Sequence, residues 1–257
     1  MNNKTAKQIL SSYRLKLAGV VVLYLAALAV LIYVMTFSML VGIVGVIALG
    51  LSVRTPIEKI RTKDLESIIF ENLDPEKFNE LLELGAFKKS TRLQVLCAVS
   101  LGDHENALNI IDSKDTKRAH PVDLCNRLYR KGYIYFERGE FDKLAGIVSE
   151  YKALKKKHPQ FAPALNSFSV FDKFDAFADE DYEYVVDVCD IDLNELDPKK
   201  QNHFMTEINV GFYRAVSLYK LGRLNEAREG FEHIIKIAPK MYKAKLSKDY
   251  IELISKT

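Results

Sequence analysis

The side chains best equipped for chemistry are scattered along this sequence. Five histidines, His104, His120, His158, His203 and His233, stand apart, and none is paired three or four residues from another ligand in a metal-binding pattern. They read as surface or helix-end residues. Cys97, Cys125 and Cys189 are widely spaced, with no C-x-x-C. An odd count in that arrangement points to reduced, buried thiols rather than a disulfide framework. No G-x-G-x-x-G, P-loop or G-x-S-x-G is present, so nothing is set to cradle phosphate or present a nucleophile. Neither an enzyme nor a cofactor is expected.

Charge is the more conspicuous chemistry. Between Asp172 and Asp197 eleven acids face one base, Lys173. The candidate patch within it is Asp179, Glu180, Asp181, Asp187, Asp190 and Asp192. A calcium loop needs a glycine at its sharp turn, and this segment has none. The run reads as a solvated helix face or as a docking patch for a basic partner, acting by long-range attraction. Lys155-Lys156-Lys157 falls at a helix C-terminus, where cations complement the dipole. A second basic run, Lys240, Lys243, Lys245 and Lys248, reads as a solvated face of the last helix, with anionic lipid as the alternative contact.

These groups must be positioned by helices, and the most emphatic helical signal is apolar. From Leu17 to Val53 the chain carries no charge. As a single helix rising ~1.5 Å per residue it would measure roughly 55 Å, whereas a hydrocarbon core is about 30 Å thick. A break at Met35-Thr36-Phe37-Ser38 divides it into two short spans, Leu17–Val34 and Met39–Val53. Residues 1–16 hold Lys4, Lys7, Arg14 and Lys16 and no acid, and Arg54, Lys59, Arg61 and Lys63 follow the second span. Cationic flanks stay on the cytoplasmic side, and a hairpin lets both remain there. Ala26, Ala27 and Ala29 on one helix and Gly42, Gly45 and Gly50 on the other suit close packing in lipid. The competing expectations are a buried soluble helix, or a signal peptide cut after Ala27-Leu28-Ala29, which would leave one span and an exported domain.

The chain has 257 residues and a formal charge of +3. Residues 1–57 contain five cations and no acid, so the remainder is slightly acidic. With no basic stripe interleaved with aromatics and no groove-reading motif, nucleic acid is not an expected partner. After Pro56, apolar residues at Ile57, Ile60, Leu65, Ile68 and Ile69 are followed by a helix start at Asp74-Pro75-Glu76 and a stop at Gly85, one helical hairpin over residues 54–89. Beyond Ser90 a turn pattern recurs at Gly102, Gly139, Asp179–Asp181 and Gly222. In its clearest copy, Ile208–Met241, Gly222 can end a helix in the left-handed conformation, Ala227 permits close approach, Phe231, Ile234 and Ile235 share a face, and Pro239 forces the next turn.

That copy resembles a tetratricopeptide repeat. Ala215, Leu218, Tyr219, Gly222, Leu224, Ala227, Phe231, Ile234 and Pro239 stand at matching positions, while Gly211 replaces the family's early large aromatic. Leu101–Leu108 repeats the turn and the small Ala107; the copy around Gly132 and Gly139 has Leu144 at the small position and a late Pro159; Pro163–Leu193 is degenerate. The resemblance covers roughly residues 90–241. It implies an α-solenoid of antiparallel helix pairs, with residues 242–257 as a polar-backed cap; with the hairpin read from the apolar run, the expected fold is all-α, a two-helix transmembrane hairpin followed by that solenoid.

It further implies a concave groove lined by the first helix of each pair: Lys89 and Arg92; Asn126, Tyr129, Tyr133 and Phe136; Asn209, Phe212 and Tyr219. Asparagine can bond peptide backbone and aromatics offer rigid contact area; the alternative is that the aromatics are core between repeats. The expected function is a membrane-tethered scaffold or adaptor that binds a protein or peptide at the cytoplasmic membrane face. The alternative is a structural subunit of a transport or envelope-assembly complex, held through its hairpin in the bilayer.

Overall fold

A computed structural model describes residues 5–52, 54–86, 90–113, 119–200 and 202–256; Lys4, Val53 and Lys89 lie outside them. The described residues are helical throughout, with no strand. The chain divides into two compact units, Met1–Ala86 and Phe87–Thr257.

The first unit opens with α1 (Ala6–Met35), whose N-terminus is closed by a capping box: Gln8 N–H donates to Thr5 Oγ1, and Thr5 N–H donates to Gln8 Oε1. The helix therefore begins well before the uncharged stretch. Thr36, Phe37 and Ser38 make the turn into α2 (Met39–Ser52). The two helices run antiparallel. Tyr24 Oη and Ser52 Oγ are 3.2 Å apart, and a methyl on Gly45 would stand 2.5 Å from Leu31 Cδ2. Glycine thus lets α1 side chains reach the α2 backbone. Ala6–Met35 and Met39–Phe70 are both long and apolar enough to cross a membrane. Their outer faces are bare of protein cover; Leu40 is 75 % and Phe37 77 % exposed.

Past α2 come α3 (Arg54–Arg61), a π-helical turn at Thr62–Glu66, and α4 (Ser67–Phe70). Ile60 and Leu65 are five residues apart, a step that throws an α-helix off its face; the π turn realigns Leu65 with Ile68 and Ile69. Asp74 caps α5 (Pro75–Glu83) by accepting from Lys77 N–H at 3.1 Å. Leu65, Ile69, Phe78 and Leu81 are buried, and α1 packs on α5 near its buried Ala6 and Leu10. Residues 1–16 contain no acid, and Lys16 finds one across the unit, Asp64, at 2.6 Å.

The second unit is built from helix pairs: α6 (Thr91–Leu101) with α7 (His104–Asp112), and α8 (Pro121–Glu137) with α9 (Asp142–Lys157). After a 3-10 turn and the short α10 (Ala162–Asn166), α11 (Val170–Ala178) pairs with α12 (Tyr182–Asn194), and α13 (His203–Lys220) with α14 (Leu224–Ile237). Each pair turns the same way. One or two residues past the first helix the backbone is left-handed, at Gly102, Gly139, Glu180 and Gly222. The next N–H then bonds the carbonyl five residues back: Asp103 to Ala98, Glu140 to Tyr135, Asp181 to Ala176, Arg223 to Leu218. Five residues beyond each left-handed position sits a fully enclosed side chain: Ala107, Leu144, Val185 and Ala227.

The last helix, α15 (Tyr242–Ile254), does more than cover one end. It packs on α14 and α13 and also on α6, the first helix of the unit. Gly102 makes this possible, because a Cβ there would lie 2.3 Å from the Tyr242 ring.

Glu180 is the one member of the turn series that is not glycine, and a left-handed side-chain-bearing residue costs ~1–2 kcal/mol. Glycine relieves that strain but is freer in the unfolded chain. Glu180→Gly is therefore expected to stabilise the unit by up to about 1 kcal/mol, raising its melting midpoint by ~2–4 °C. Gly222→Ala, which introduces the strain, is expected to lower it; circular-dichroism melts of the two variants check both signs.

Candidate interaction site

The face expected to hold a partner peptide is largely filled by the chain itself. On α8, Tyr133 donates its hydroxyl to Asn209 Oδ1 of α13 and accepts from Lys243 Nζ of α15. The ammonium lies 4.0 Å from the Tyr133 ring centroid. It also donates to Glu137 Oε1, and Glu137 Oε2 is 2.8 Å from His104 Nε2. Lys243, Glu137 and His104 are all buried. Burial pulls the Lys243 ammonium below the usual lysine range while the Glu137 carboxylate pushes the other way. Burial, then the charge of Glu137, hold the Tyr133 hydroxyl well above its ordinary pKa. His104–Glu137–Lys243–Tyr133–Asn209 is thus a connected network joining four helices that are distant in sequence.

The other groove candidates divide between core and surface. Phe136 is buried against Tyr213, Phe177 and Phe212. Phe212 is buried and meets Phe231 and Tyr250; Tyr219 meets Tyr250 edge-on. Asn126 turns inward, donating to its own helix at Val122 O, 2.9 Å away. Tyr129 is half-buried beside Phe168. Arg92 is exposed on α6, and its charge reaches both Tyr129 and Arg130. Lys89 lies outside the described residues.

The acidic segment is partly spent on the fold. Asp181 caps α12 by accepting from Tyr184 N–H at 3.2 Å. Asp190 pairs with Arg214 at 2.6 Å, and Asp192 meets the buried Lys173 at 2.7 Å. Asp179, Glu180 and Asp187 remain on the surface. Among the described residues no cluster of three or more His, Cys, Asp or Glu could hold a metal ion.

One feature was not legible in the sequence. A trough of about 420 Å³ opens between α8 and α9. From α8 come Leu124, Arg127, Leu128 and Lys131. From α9 come Glu150, Ala153, Leu154 and Lys157. Both strips follow the i, i+3, i+4, i+7 spacing of one helix face. Only the three-dimensional register of the two helices, and the length of α7 beside them, reveals the opening.

Removing one partner of a buried ion pair leaves the other uncompensated, at a cost of roughly 3–5 kcal/mol. Glu137→Leu is expected to destabilise the protein on that scale, and adding Lys243→Met should restore most of the loss in denaturant titrations. The buried thiols give a second expectation. Burial pushes Cys125 and Cys189 up to about 12, from an ordinary 9.0. Both should resist alkylation in the native protein at pH 8 and react promptly once it is unfolded, as mass spectrometry would show. No protein-family model, curated protein or solved structure matches this chain, so its functional reading rests on its own residues.

Proposed function

We propose that this chain is a membrane-tethered scaffold or adaptor, its helix-pair unit held at the cytoplasmic face to bind a protein partner. The observation that carries the proposal is one polypeptide joining a bare apolar hairpin to a separate compact unit of helix pairs. The outward leucines and valines of α1 and α2, with Phe37 in the turn between them, form a surface that water opposes and lipid accepts. The Lys16–Asp64 ion pair ties the segment before the first span to the segment after the second. With both basic flanks on one side, the positive-inside tendency favours the cytoplasm for each. The repeated left-handed turns, each followed by an enclosed residue five positions on, support a tetratricopeptide-like reading of the second unit. Tethering raises the local concentration of whatever that unit captures.

A second reading has its own support. Gly19 and Gly50 have no heavy atom within 4 Å of where a Cβ would stand, leaving small-residue faces open to another helix in the bilayer. The hairpin would then be the assembling part of a larger membrane complex.

Crosslinked pull-down of the full-length protein in mild detergent separates the two. The adaptor reading expects Arg92→Glu combined with Tyr129→Ala to reduce partner recovery at least about fivefold, with the hairpin intact. Recovery of the same complex by the hairpin alone, unaffected by those substitutions, favours the membrane subunit. Protease should digest the second unit in inside-out vesicles and spare it in intact cells; the reverse pattern rejects the cytoplasmic placement.

A further inference from the structure

We infer that the trough between α8 and α9 receives an amphipathic helix of a protein partner, one with an apolar stripe about two turns long and carboxylates on its flank. The inference rests on the adaptor reading and specifies the partner's chemistry.

The register of the trough is that of an antiparallel pair. Leu124 and Lys157 mark one end and Lys131 and Glu150 the other, with Leu128 facing Ala153 and Leu154 between them. At ~1.5 Å per residue the strip is about 10 Å long, two helical turns. The volume lies near the lower end of binding clefts, roughly 300–1,000 Å³. Its floor is aliphatic and its rim carries Arg127, Lys131 and Lys157 against Glu150 in the lining and Asp112 beside Arg127 and Lys131.

α7 has 9 residues where α9 has 16. It ends at Asp112, whose carboxylate reaches Lys131 at 2.7 Å and Arg127 at 3.5 Å. The last residue of α7 thus already shows what the rim accepts. Paired strips at helical spacing make a groove into which another helix packs. Glu150 selects against a uniformly anionic occupant such as a lipid headgroup layer. A helix can place carboxylates toward Arg127, Lys131 and Lys157 and keep Glu150 beside a neutral or basic residue.

The test uses the full-length protein in neutral phosphatidylcholine nanodiscs and a fluorescein-labelled 16-residue helical peptide, leucine at i, i+3, i+4 and i+7 with glutamates flanking. Fluorescence anisotropy should show saturable binding, at least about tenfold weaker for a shuffled peptide and for one with lysine replacing glutamate. Leu128→Glu and the double variant Arg127→Glu/Lys131→Glu should each weaken binding about tenfold, with melting curves unchanged. The charge-reversal effect should shrink between low and high salt, as screening requires. Binding weaker than about 100 µM, equal binding of the shuffled peptide, or indifference to Leu128→Glu overturns the inference. So does saturable binding of a fluorescent dodecanoate, lost in the same variants, where the peptide fails. Probe failure with partner capture intact removes only the trough; loss of partner capture from the unaltered chain removes the adaptor reading instead.

Discussion

A lysine ammonium enclosed by aromatic rings is tolerable only with a carboxylate beside it, and the second unit is arranged to supply one. Lys243 arrives from the last helix, Glu137 from the end of α8, and His104 from the start of α7. Desolvating an isolated ammonium would cost several kcal/mol even after relaxation. The pair must therefore form together, and forming it fixes the last helix against α8, with His104 of α7 joined through Glu137. The Tyr133 hydroxyl, donating to Asn209 and accepting from Lys243, extends the constraint to α13. Stacked helix pairs commonly leave their inner face open. Here the terminal helix packs on α6 and α13, and its Lys243 is buried with the carboxylate and the hydroxyl that it contacts.

The parts of this fold that could be read in the sequence are those with local causes. Gly102, Gly139 and Gly222 announce helix ends because few other residues enter the left-handed region, and the enclosed positions five residues later follow from the geometry of a helical hairpin. Even the glycine-free turn at Asp179–Asp181 is placed by its spacing, and Glu180 accepts the strained conformation. The break at Thr36–Ser38 is equally local: it interrupts an apolar run too long for one crossing.

What could not be read depends on distance. His104, Glu137 and Lys243 are far apart in sequence, and each taken alone resembles an ordinary helix-end or surface residue. Local charge patterning assigned Lys243 to a solvated face; tertiary packing buries it. Residues 6–16 are polar enough to pass for an unstructured flank, yet the capping box at Thr5 and Gln8 starts a helix there, and Lys16 finds its acid at Asp64. The acidic run between Asp172 and Asp197 looked like one feature. The structure gives intramolecular partners to Asp175, Asp181, Glu183, Asp190 and Asp192, while Asp179, Glu180 and Asp187 stay on the surface.

The two halves of this division bear on where recognition can happen. A face filled by α15 cannot also admit a peptide without expelling Lys243 from its carboxylate, a change of several kcal/mol before any contact with a partner is made. Surfaces that need no such rearrangement are energetically nearer to hand. Arg92 is exposed on α6, Tyr129 is half-buried on α8 beside Tyr133, and the trough between α8 and α9 is already open. A closed array with preformed outer surfaces pays little conformational entropy on binding. Rigidity of this kind favours recognition by surfaces that exist before any partner arrives.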